Sequence, residues 1–258
     1  IPEIEKYMQD CDVIFEPFGG SAAYSLSQDL PFYYTDSQPE LVNFLKQVKE
    51  SPEKLCEGIK SSMANIVCKE SWYALRLKDR SPDFLNTCEI ERAVRYYYLS
   101  STSHNNLYRV NLKGQANMPW AKGLKKVPND YEQRIRDASD KFNLHCKGLS
   151  CTEFDNLENL SSVLDSGYKP FVLIDPPYYD TYDQYVKDSP DEAVWLRLRS
   201  FVDNLVAVGI PFLLTNSYHP YILELFKDLK IEQVPIRYTT APSGEKRIVS
   251  SEAFITNI

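Results

Sequence analysis

Residues 170–178 read Pro-Phe-Val-Leu-Ile-Asp-Pro-Pro-Tyr. The first five of these residues form a nearly continuous apolar run, which is typical of a central strand in a parallel sheet covered on both faces. The two prolines after Asp175 fix the backbone and remove two N–H donors, so the strand must end there. Because ligands bind at the carboxyl ends of strands in open α/β sheets, the stretch predicts a binding site at Asp175.

The groups in this loop suit a planar amine. Asp175 supplies a carboxylate acceptor, and the carbonyl of Pro176 or Pro177 can face a ligand without competition from a local turn. Tyr178 adds a flat ring on which a base can stack. The alternative is a rigid exit from the strand, in which Asp175 only caps the loop.

Two strands near the N-terminus end in residues that suit the same kind of site. Residues 12–15 form an apolar run followed by Glu16-Pro17-Phe18-Gly19-Gly20-Ser21. Small residues there let a ligand approach the backbone, and Ser21 is the predicted cap of the next helix. Residues 32–34 predict a second strand that ends at Asp36, a position from which a carboxylate can accept hydrogen bonds from ribose hydroxyls. A turn aspartate fits Asp36 equally well, and Ser37 is the predicted cap of the helix that Pro39 enters.

The alternation of strands and helices stops after residue 51 and returns near residue 170. Residues 53–105 are helical in composition, residues 107–120 contain a hairpin with Lys113-Gly114 at its tip, and residues 131–142 predict a helix. Further on, residues 194–205 predict a helix, 211–215 a buried strand, 221–226 a short helix, and 231–239 and 253–256 two closing strands around a turn at 242–244. The chain is therefore predicted to be an α/β protein, with one domain at 1–52 and 131–258 that is split by an inserted domain at 53–130.

The amino-acid composition indicates a globular protein and limits the ligands and partners to be expected. The chain has 258 residues, of which 43% are hydrophobic and 25% charged, as in ordinary globular proteins. No run of about 18 apolar residues predicts a membrane span, and the six cysteines form no Cys-x-x-Cys pair, so no metal site is expected. The net charge of -7 argues against nucleic acid. Residues 109–129 nevertheless hold no acidic residue and five basic ones, Arg109, Lys113, Lys122, Lys125 and Lys126. Charge alone favours a solvated loop.

The order of these features resembles the Dam-type (D12 class) site-specific DNA adenine methyltransferases, over nearly the whole chain. Beyond Asp-Pro-Pro-Tyr, residues 106–120 (NLYRVNLKGQANMPW) resemble that family's hairpin N-G-L-x-R-x-N-x-x-G-x-F-N-x-P, and Thr215-Asn216-Ser217 resembles its next strand end. Ala22 replaces the last glycine of the family's F-x-G-x-G, which we expect to leave binding intact. Ala116 and Asn106 replace a phenylalanine and a glycine of the hairpin. Residues 1–4 resemble the end of an upstream glycine-lysine segment, which leaves open whether such a segment precedes Ile1.

The resemblance implies a Rossmann-like S-adenosylmethionine-dependent methyltransferase sheet with an inserted helical and β-hairpin target-recognition domain. It implies that residues 16–21, Asp36, Asp175 and the pair Glu153-Phe154 bind S-adenosylmethionine. Residues 175–178 would catalyse direct methyl transfer to the exocyclic N6 amino group of an adenine flipped out of double-stranded DNA. Arg109 and Asn111 would lie near bases, and the four lysines near phosphates. The resemblance also implies a cytoplasmic location, in a bacterial or phage-infected cell, and it leaves open whether the enzyme is solitary or has a cognate restriction endonuclease as partner.

The residues leave other functions open. Methyltransferases that act on protein amides typically read Asn-Pro-Pro-Tyr, so Asp175 favours adenine, but the sequence does not separate DNA from RNA. A catalytically silent relative that binds DNA or a partner would keep the same fold, and the intact Asp-Pro-Pro-Tyr argues against it. A GATC-like recognition sequence rests on the resemblance alone.

Overall fold

A computed structural model describes residues 2–8, 10–121, 126–165, 167–179, 192–237 and 249–258. The chain divides into two compact units, residues 1–37 with 152–258, and residues 38–151. The predicted inserted domain, 53–130, lies inside the second unit, which extends beyond it at both ends. Among the described helices, none is long and apolar enough to cross a membrane.

The helices and strands of the described residues are as follows. In chain order they are α1 (Pro2–Glu5), β1 (Val13–Glu16), α2 (Ala23–Ser27), β2 (Phe32–Asp36), α3 (Pro39–Glu50), α4 (Pro52–Asn65), α5 (Lys69–Leu77), α6 (Glu89–Thr102), α7 (Tyr131–His145), β3 (Cys146–Cys151), α8 (Leu157–Asp165), β4 (Pro170–Ile174), α9 (Glu192–Ala207), β5 (Phe212–Ser217), α10 (Pro220–Leu225), β6 (Lys230–Arg237) and β7 (Val249–Thr256). Short 3-10 helices span Lys78–Arg80, Phe84–Asn86 and His104–Asn106.

The first unit is built on a sheet whose strands lie in the order β2-β1-β4-β5-β7-β6. Strand β1 pairs in parallel with β2 and β4, and β4 pairs in parallel with β5. Strand β7 is antiparallel to both β5 and β6. The chain leaves β1 for β2 on one side and reaches β4 on the other, which creates the switch point where open α/β sheets bind ligands. The predicted Rossmann-like α/β sheet is confirmed.

The buried parts of the chain determine where strands β1 and β4 lie and where β4 ends. Every residue of β1 and β4 is buried, as expected for parallel strands covered on both faces. Helix α9 covers one face with Trp195, Leu198, Phe201, Val202 and Leu205. Val194, predicted on that face, is only partly buried. The first polar residue after β4 is Asp175, so the chain leaves the core at the predicted position.

Two predicted helix caps are wrong. Helix α2 begins after Ala22, whose φ of 56° is left-handed and whose side chain makes no cap, so Ser21 lies outside the helix start. Gln38 rather than Ser37 caps α3, through its side-chain oxygen and the backbone N–H of Glu40. The physical reason is Pro39, which takes the first helical position and places the cap on the extended residue before it.

The second unit is mostly helical, as predicted for residues 53–105. Helix α3 packs against α6 and α7, and α4 packs against α6. Trp72, on α5, is fully buried and donates its indole N–H to Thr102 at 2.9 Å. Strand β3 ends this unit, and the sequence analysis did not predict it. The turn predicted at 242–244 lies outside the described residues.

Candidate active site and nucleic-acid interface

Two cavities of about 670 and 390 Å³ open at the carboxyl ends of the parallel strands of the first unit. We call them the larger and the smaller cavity. Phe18, Gly20, Asp175 and Tyr178 line both. The remaining predicted site residues divide between the two. Asp36, Glu153, Phe154, Pro176 and Pro177 line the larger cavity, and Glu16, Gly19 and Ser21 line the smaller. Pro17 lines neither.

The loop after β1 is locked against β2. Gly19 donates its N–H to the Thr35 carbonyl at 2.9 Å, and a Cβ at Gly19 would lie 2.1 Å from the Tyr34 ring. Gly20 has a φ of 50°, accepts the Tyr34 hydroxyl at 2.7 Å and donates its N–H to Asp36 at 3.0 Å. Asp36 therefore braces the loop, as a turn aspartate does, and its side chain also lines the larger cavity.

Glu16 ends β1 as a buried carboxylate. Its Oε1 accepts the Ser25 N–H at 3.3 Å, whereas its Oε2 has no hydrogen-bond partner among the described residues. Burial raises the pKa of Glu16 to about 7, although its hydrogen bonding to Ser25 acts in the opposite direction. A buried carboxylate with an unpartnered oxygen is costly unless a cation or donor compensates it. Glu16 therefore fits a positively charged ligand.

The charged side chains that line the smaller cavity are all acidic, as Glu16 is. Asp175 and Glu252 also line it, and no lysine or arginine does so among its described lining residues. Three carboxylates around one cavity favour a cation over a neutral or anionic ligand. Glu252, which no sequence pattern indicated, lies on β7 opposite Ser217.

Asp175 lies directly after β4 with its side chain open to the cavities. The Thr215 hydroxyl on the adjacent strand β5 donates a hydrogen bond to Oδ1 of this carboxylate. Loss of hydration inside the protein disfavours the charged carboxylate and raises the pKa of Asp175 above its usual range. The hydrogen bond from Thr215 partly opposes that effect. Asp175 is therefore both accessible and strongly influenced by its neighbours.

The two tyrosines after the prolines have different surroundings. The Tyr179 ring packs against Tyr221, His219 and Trp195, with ring centroids 4.8, 4.5 and 5.5 Å away. Tyr178 instead lines both cavities. The structure thus gives Tyr179 a packing role and leaves the predicted base-stacking role with Tyr178.

An aromatic wall closes one side of the larger cavity. The Phe154 ring stacks on Phe18 with centroids 4.7 Å apart, and the Arg197 guanidinium lies 5.2 Å from the Phe154 centroid. Arg197 also binds Asp155 through two hydrogen bonds of 2.6 and 2.7 Å, and Glu153 at 3.4 Å. These ion pairs hold a flat apolar surface suited to a planar ring. No sequence pattern had pointed to Arg197.

The second unit carries the predicted hairpin. Val110 and Ala116 form an antiparallel bridge, and Gly114 near the tip has a φ of 72°, so the predicted turn is confirmed. The Asn111 side-chain oxygen accepts the N–H groups of Lys113 and Gln115 at 2.9 and 3.0 Å. Asn111 therefore shapes the turn, and its contact with bases stays a prediction.

Buried charges hold this hairpin in place. Asp79 pairs with Arg95 at 2.8 Å, and both side chains are nearly fully buried. Asp79 also accepts the Ala116 N–H at 2.7 Å, while Arg80 donates to the Ala116 carbonyl at 2.7 Å and Arg76 to that of Met118 at 2.8 Å. The backbone of Ala116, where the resembling family has phenylalanine, is thus fixed by hydrogen bonds.

The tip of the hairpin is apolar and basic. Leu112 is 97% exposed, and Lys113 beside it is exposed, as is Lys126 further along the chain. Arg109 is half-buried. Lys122 and Lys125 lie outside the described residues. A single exposed hydrophobic residue is normal on a protein surface, so its exposure makes Leu112 accessible without assigning it a partner.

The parallel sheet, the cleft at its switch point and the Asp-Pro-Pro-Tyr loop together define a Rossmann-like methyltransferase. The D12 class N6 adenine-specific DNA methyltransferase family matches residues 1–240, and the chain belongs to that family. The predicted enzyme, a methyltransferase that modifies the N6 amino group of adenine in DNA, is thereby confirmed.

Individual relatives agree with the family match. The Type II methyltransferase M1.LlaDCHI of Lactococcus lactis subsp. cremoris is 29% identical over 265 residues, covering 100% of this chain and 90% of the relative. The Type II methyltransferase M.MjaIII of Methanocaldococcus jannaschii is 30% identical, covering 95% and 85%. A DNA adenine methylase of Salmonella typhi is 24% identical, covering 96% and 87%.

Proposed function

We propose that the two cavities bind S-adenosylmethionine and a flipped adenine, and that residues 175–178, here called the DPPY motif, carry out the transfer. The observation that supports this most is that Asp175 and Tyr178 line both cavities. S-adenosylmethionine bound across the two cavities would therefore lie beside Asp175 and Tyr178, which are proposed to hold the target adenine. Each of the two volumes is within the range of small-molecule sites.

The residues present fit this cofactor. Asp36 would accept hydrogen bonds from the ribose hydroxyls, and the wall of Phe18 and Phe154 would lie against the adenine ring. Glu16, with its unpartnered oxygen, would balance the positive charge of the amino acid end. S-adenosylmethionine supplies a methyl group that is already electrophilic on a sulfonium. The protein therefore has only to bind, orient and activate the acceptor.

The activation would come from hydrogen-bond acceptors. The amino lone pair of adenine is delocalised into the ring, which makes it a poor nucleophile. The Asp175 carboxylate and the Pro176 carbonyl would accept the two amino N–H groups and draw the nitrogen toward tetrahedral geometry. After the methyl group is transferred, the nitrogen must lose one proton, and the raised pKa of Asp175 makes this carboxylate a suitable acceptor.

Asp175→Ala tests this role. We expect methyl transfer from labelled S-adenosylmethionine to unmethylated DNA, measured as N6-methyl-2′-deoxyadenosine after digestion to nucleosides, to fall by about two to four orders of magnitude. Asp203→Asn, an exposed carboxylate on α9, is the matched control and should keep wild-type activity. Near-normal activity of Asp175→Ala would contradict the proposed mechanism.

We infer that the hairpin of the second unit contacts DNA. Arg109 would reach base edges and Lys113, Lys122, Lys125 and Lys126 would neutralise phosphates, as the family resemblance implies. The exposed side chain of Leu112 supports an apolar contact, either with a thymine methyl group or between base steps. Such a contact would help offset the few kcal/mol that flipping a base costs. Leu112→Asn should weaken binding to duplex DNA, whereas equal binding by the variant would remove the hairpin tip from the interface.

Two further proposals rest on the substrate and on the relatives. Two relatives are named as Type II methyltransferases, and we propose that this enzyme protects DNA against a cognate restriction endonuclease. DNA methylated by the protein should resist an endonuclease that shares its recognition sequence.

Because the substrate is DNA, we place the enzyme in the cytoplasm of a bacterial or phage-infected cell, which fractionation of the host would test.

A further inference from the structure

Strand β5 places a threonine directly beside Asp175. Strands β4 and β5 are parallel, with Ile174 opposite Leu214, so Thr215 lies level with Asp175. Thr215 is only 6% exposed, and its hydroxyl donates to Oδ1 of Asp175. One of the two carboxylate oxygens is therefore engaged within the protein.

The next residue of β5 holds the chain just beyond the DPPY motif. Asn216 is fully buried, and its Oδ1 accepts the N–H of Tyr179 at 3.1 Å and that of Ser217 at 3.0 Å. The two prolines in the motif have no N–H to donate, so few other backbone donors are present there. Consecutive side chains of one strand thus hold both ends of residues 175–179.

We propose that Thr215 is a positioning residue for methyl transfer, because its hydroxyl holds Oδ1 of Asp175 and leaves Oδ2 to accept the amino N–H of the target adenine. This inference rests on the proposed function of Asp175. Rotation of an aspartate carboxylate about its terminal torsion is broad and nearly twofold. A fixed hydrogen bond to one oxygen removes that freedom and aims the other oxygen.

The same hydrogen bond affects the ionisation of Asp175. A donated hydrogen bond favours the charged carboxylate, and it lowers the pKa of Asp175 against the effect of burial. The ionised form is the one that accepts two donors at once. Among the described residues, five other charged side chains line the cavities around Asp175, and they are identical in every variant compared below. They are Glu16, Asp36, Glu153, Arg197 and Glu252.

The test compares Thr215→Val, which removes the hydroxyl, with Thr215→Ser, which keeps it. We expect Thr215→Val to lower kcat by roughly ten- to a hundredfold, the range for a hydrogen bond to a charged group. Its KM for DNA should stay within about threefold, since the hydroxyl does not itself contact DNA. The pH below which activity falls should move upward, because the carboxylate loses the bond that lowers its pKa. Thr215→Ser should restore both quantities.

Thr256→Val is the matched control. Thr256 is a buried strand threonine that donates to the Phe212 carbonyl, and its loss should leave the pH profile unchanged. Thr215→Ala provides a second variant without the hydroxyl if Thr215→Val does not fold, as judged by its thermal melt. A Thr215→Val or Thr215→Ala enzyme with unchanged kcat and pH profile overturns the proposal, as does a Thr215→Ser enzyme as impaired as Thr215→Val. If the wild-type protein transfers no methyl group to adenine, the proposed function fails as well.

Discussion

Glu16 should make the ligand-free protein less stable as the pH rises. Burial raises its pKa from 4.5 to about 7, so the folded state holds this proton more tightly than the unfolded state. The resulting stabilisation is fully present below pH 4.5 and is lost as the pH rises through 7. A difference of about 2.5 units corresponds to about 3 kcal/mol in all, of which roughly 2–3 kcal/mol is lost between pH 5 and pH 8.

Glu16→Gln removes this titration. Glutamine can still accept the Ser25 N–H, and any cost of its unpaired amide is independent of pH. We therefore expect the free energy of unfolding to fall by about 2–3 kcal/mol more in the wild type than in the variant between pH 5 and pH 8. Urea denaturation of the ligand-free protein at both pH values measures this difference.

A control variant and a binding measurement test the prediction for Glu16→Gln further. Glu158→Gln, on the exposed surface of α8, should keep the wild-type dependence of stability on pH. Calorimetry should show that Glu16→Gln weakens binding of S-adenosylmethionine by about tenfold or more, because a charged partner is lost. If the wild type and Glu16→Gln lose the same stability between pH 5 and pH 8, the reasoning about the buried carboxylate is wrong.

Three further changes test the loop, the cofactor site and the hairpin. Ala22→Gly removes left-handed strain of about 1–2 kcal/mol, but it also loosens the unfolded chain by about 0.4–1 kcal/mol and removes a buried methyl group that contributes about 0.8 kcal/mol. It should therefore change the melting temperature little, whereas Ala23→Gly, at an exposed position of α2, should lower it. Asp36→Asn should weaken cofactor binding about tenfold by calorimetry, and unchanged affinity would leave only the turn role. Arg109→Ala should relax specificity at one base position, by about 1–3 kcal/mol across single-base-substituted duplexes, whereas Lys113→Ala should weaken binding to all of them alike.

The strands and helices that were predicted correctly are determined by short stretches of sequence. Strand β4 and the first three residues of β1 and β5 are continuous apolar runs, and runs of that kind are typical of parallel strands buried on both faces. Strand β3 was missed because Cys146–Cys151 reads Cys-Lys-Gly-Leu-Ser-Cys, which shows neither an apolar run nor regular alternation. The cap at Ser21 was wrong because the left-handed residue at Ala22 is not visible in the residue types.

The missed site residues share a different cause. Thr215 is 40 residues from Asp175 along the chain and reaches it only through the register of two strands. Glu252 reaches the smaller cavity from β7, and Arg197 reaches Phe154 from α9. Motifs predicted the residues adjacent to strand ends, whereas these partners depend on how distant elements pair. Thr215 was recognised from the sequence only as part of a strand end that resembles the family's, and its contact with Asp175 follows from the register of β4 and β5.

Net charge alone is a poor guide to the partners of this protein, and the two units show why. A total of -7 argued against a nucleic-acid partner, yet charge acts through local sites and not through its sum. The first unit places Glu16, Asp175 and Glu252 around one cavity, which suits the positive charge of the proposed cofactor. The second unit exposes Lys113 and Lys126 instead, which suits the phosphates of the proposed partner. An enzyme that must bind a cation and a polyanion needs both signs, so each site has to be assessed by its own charges.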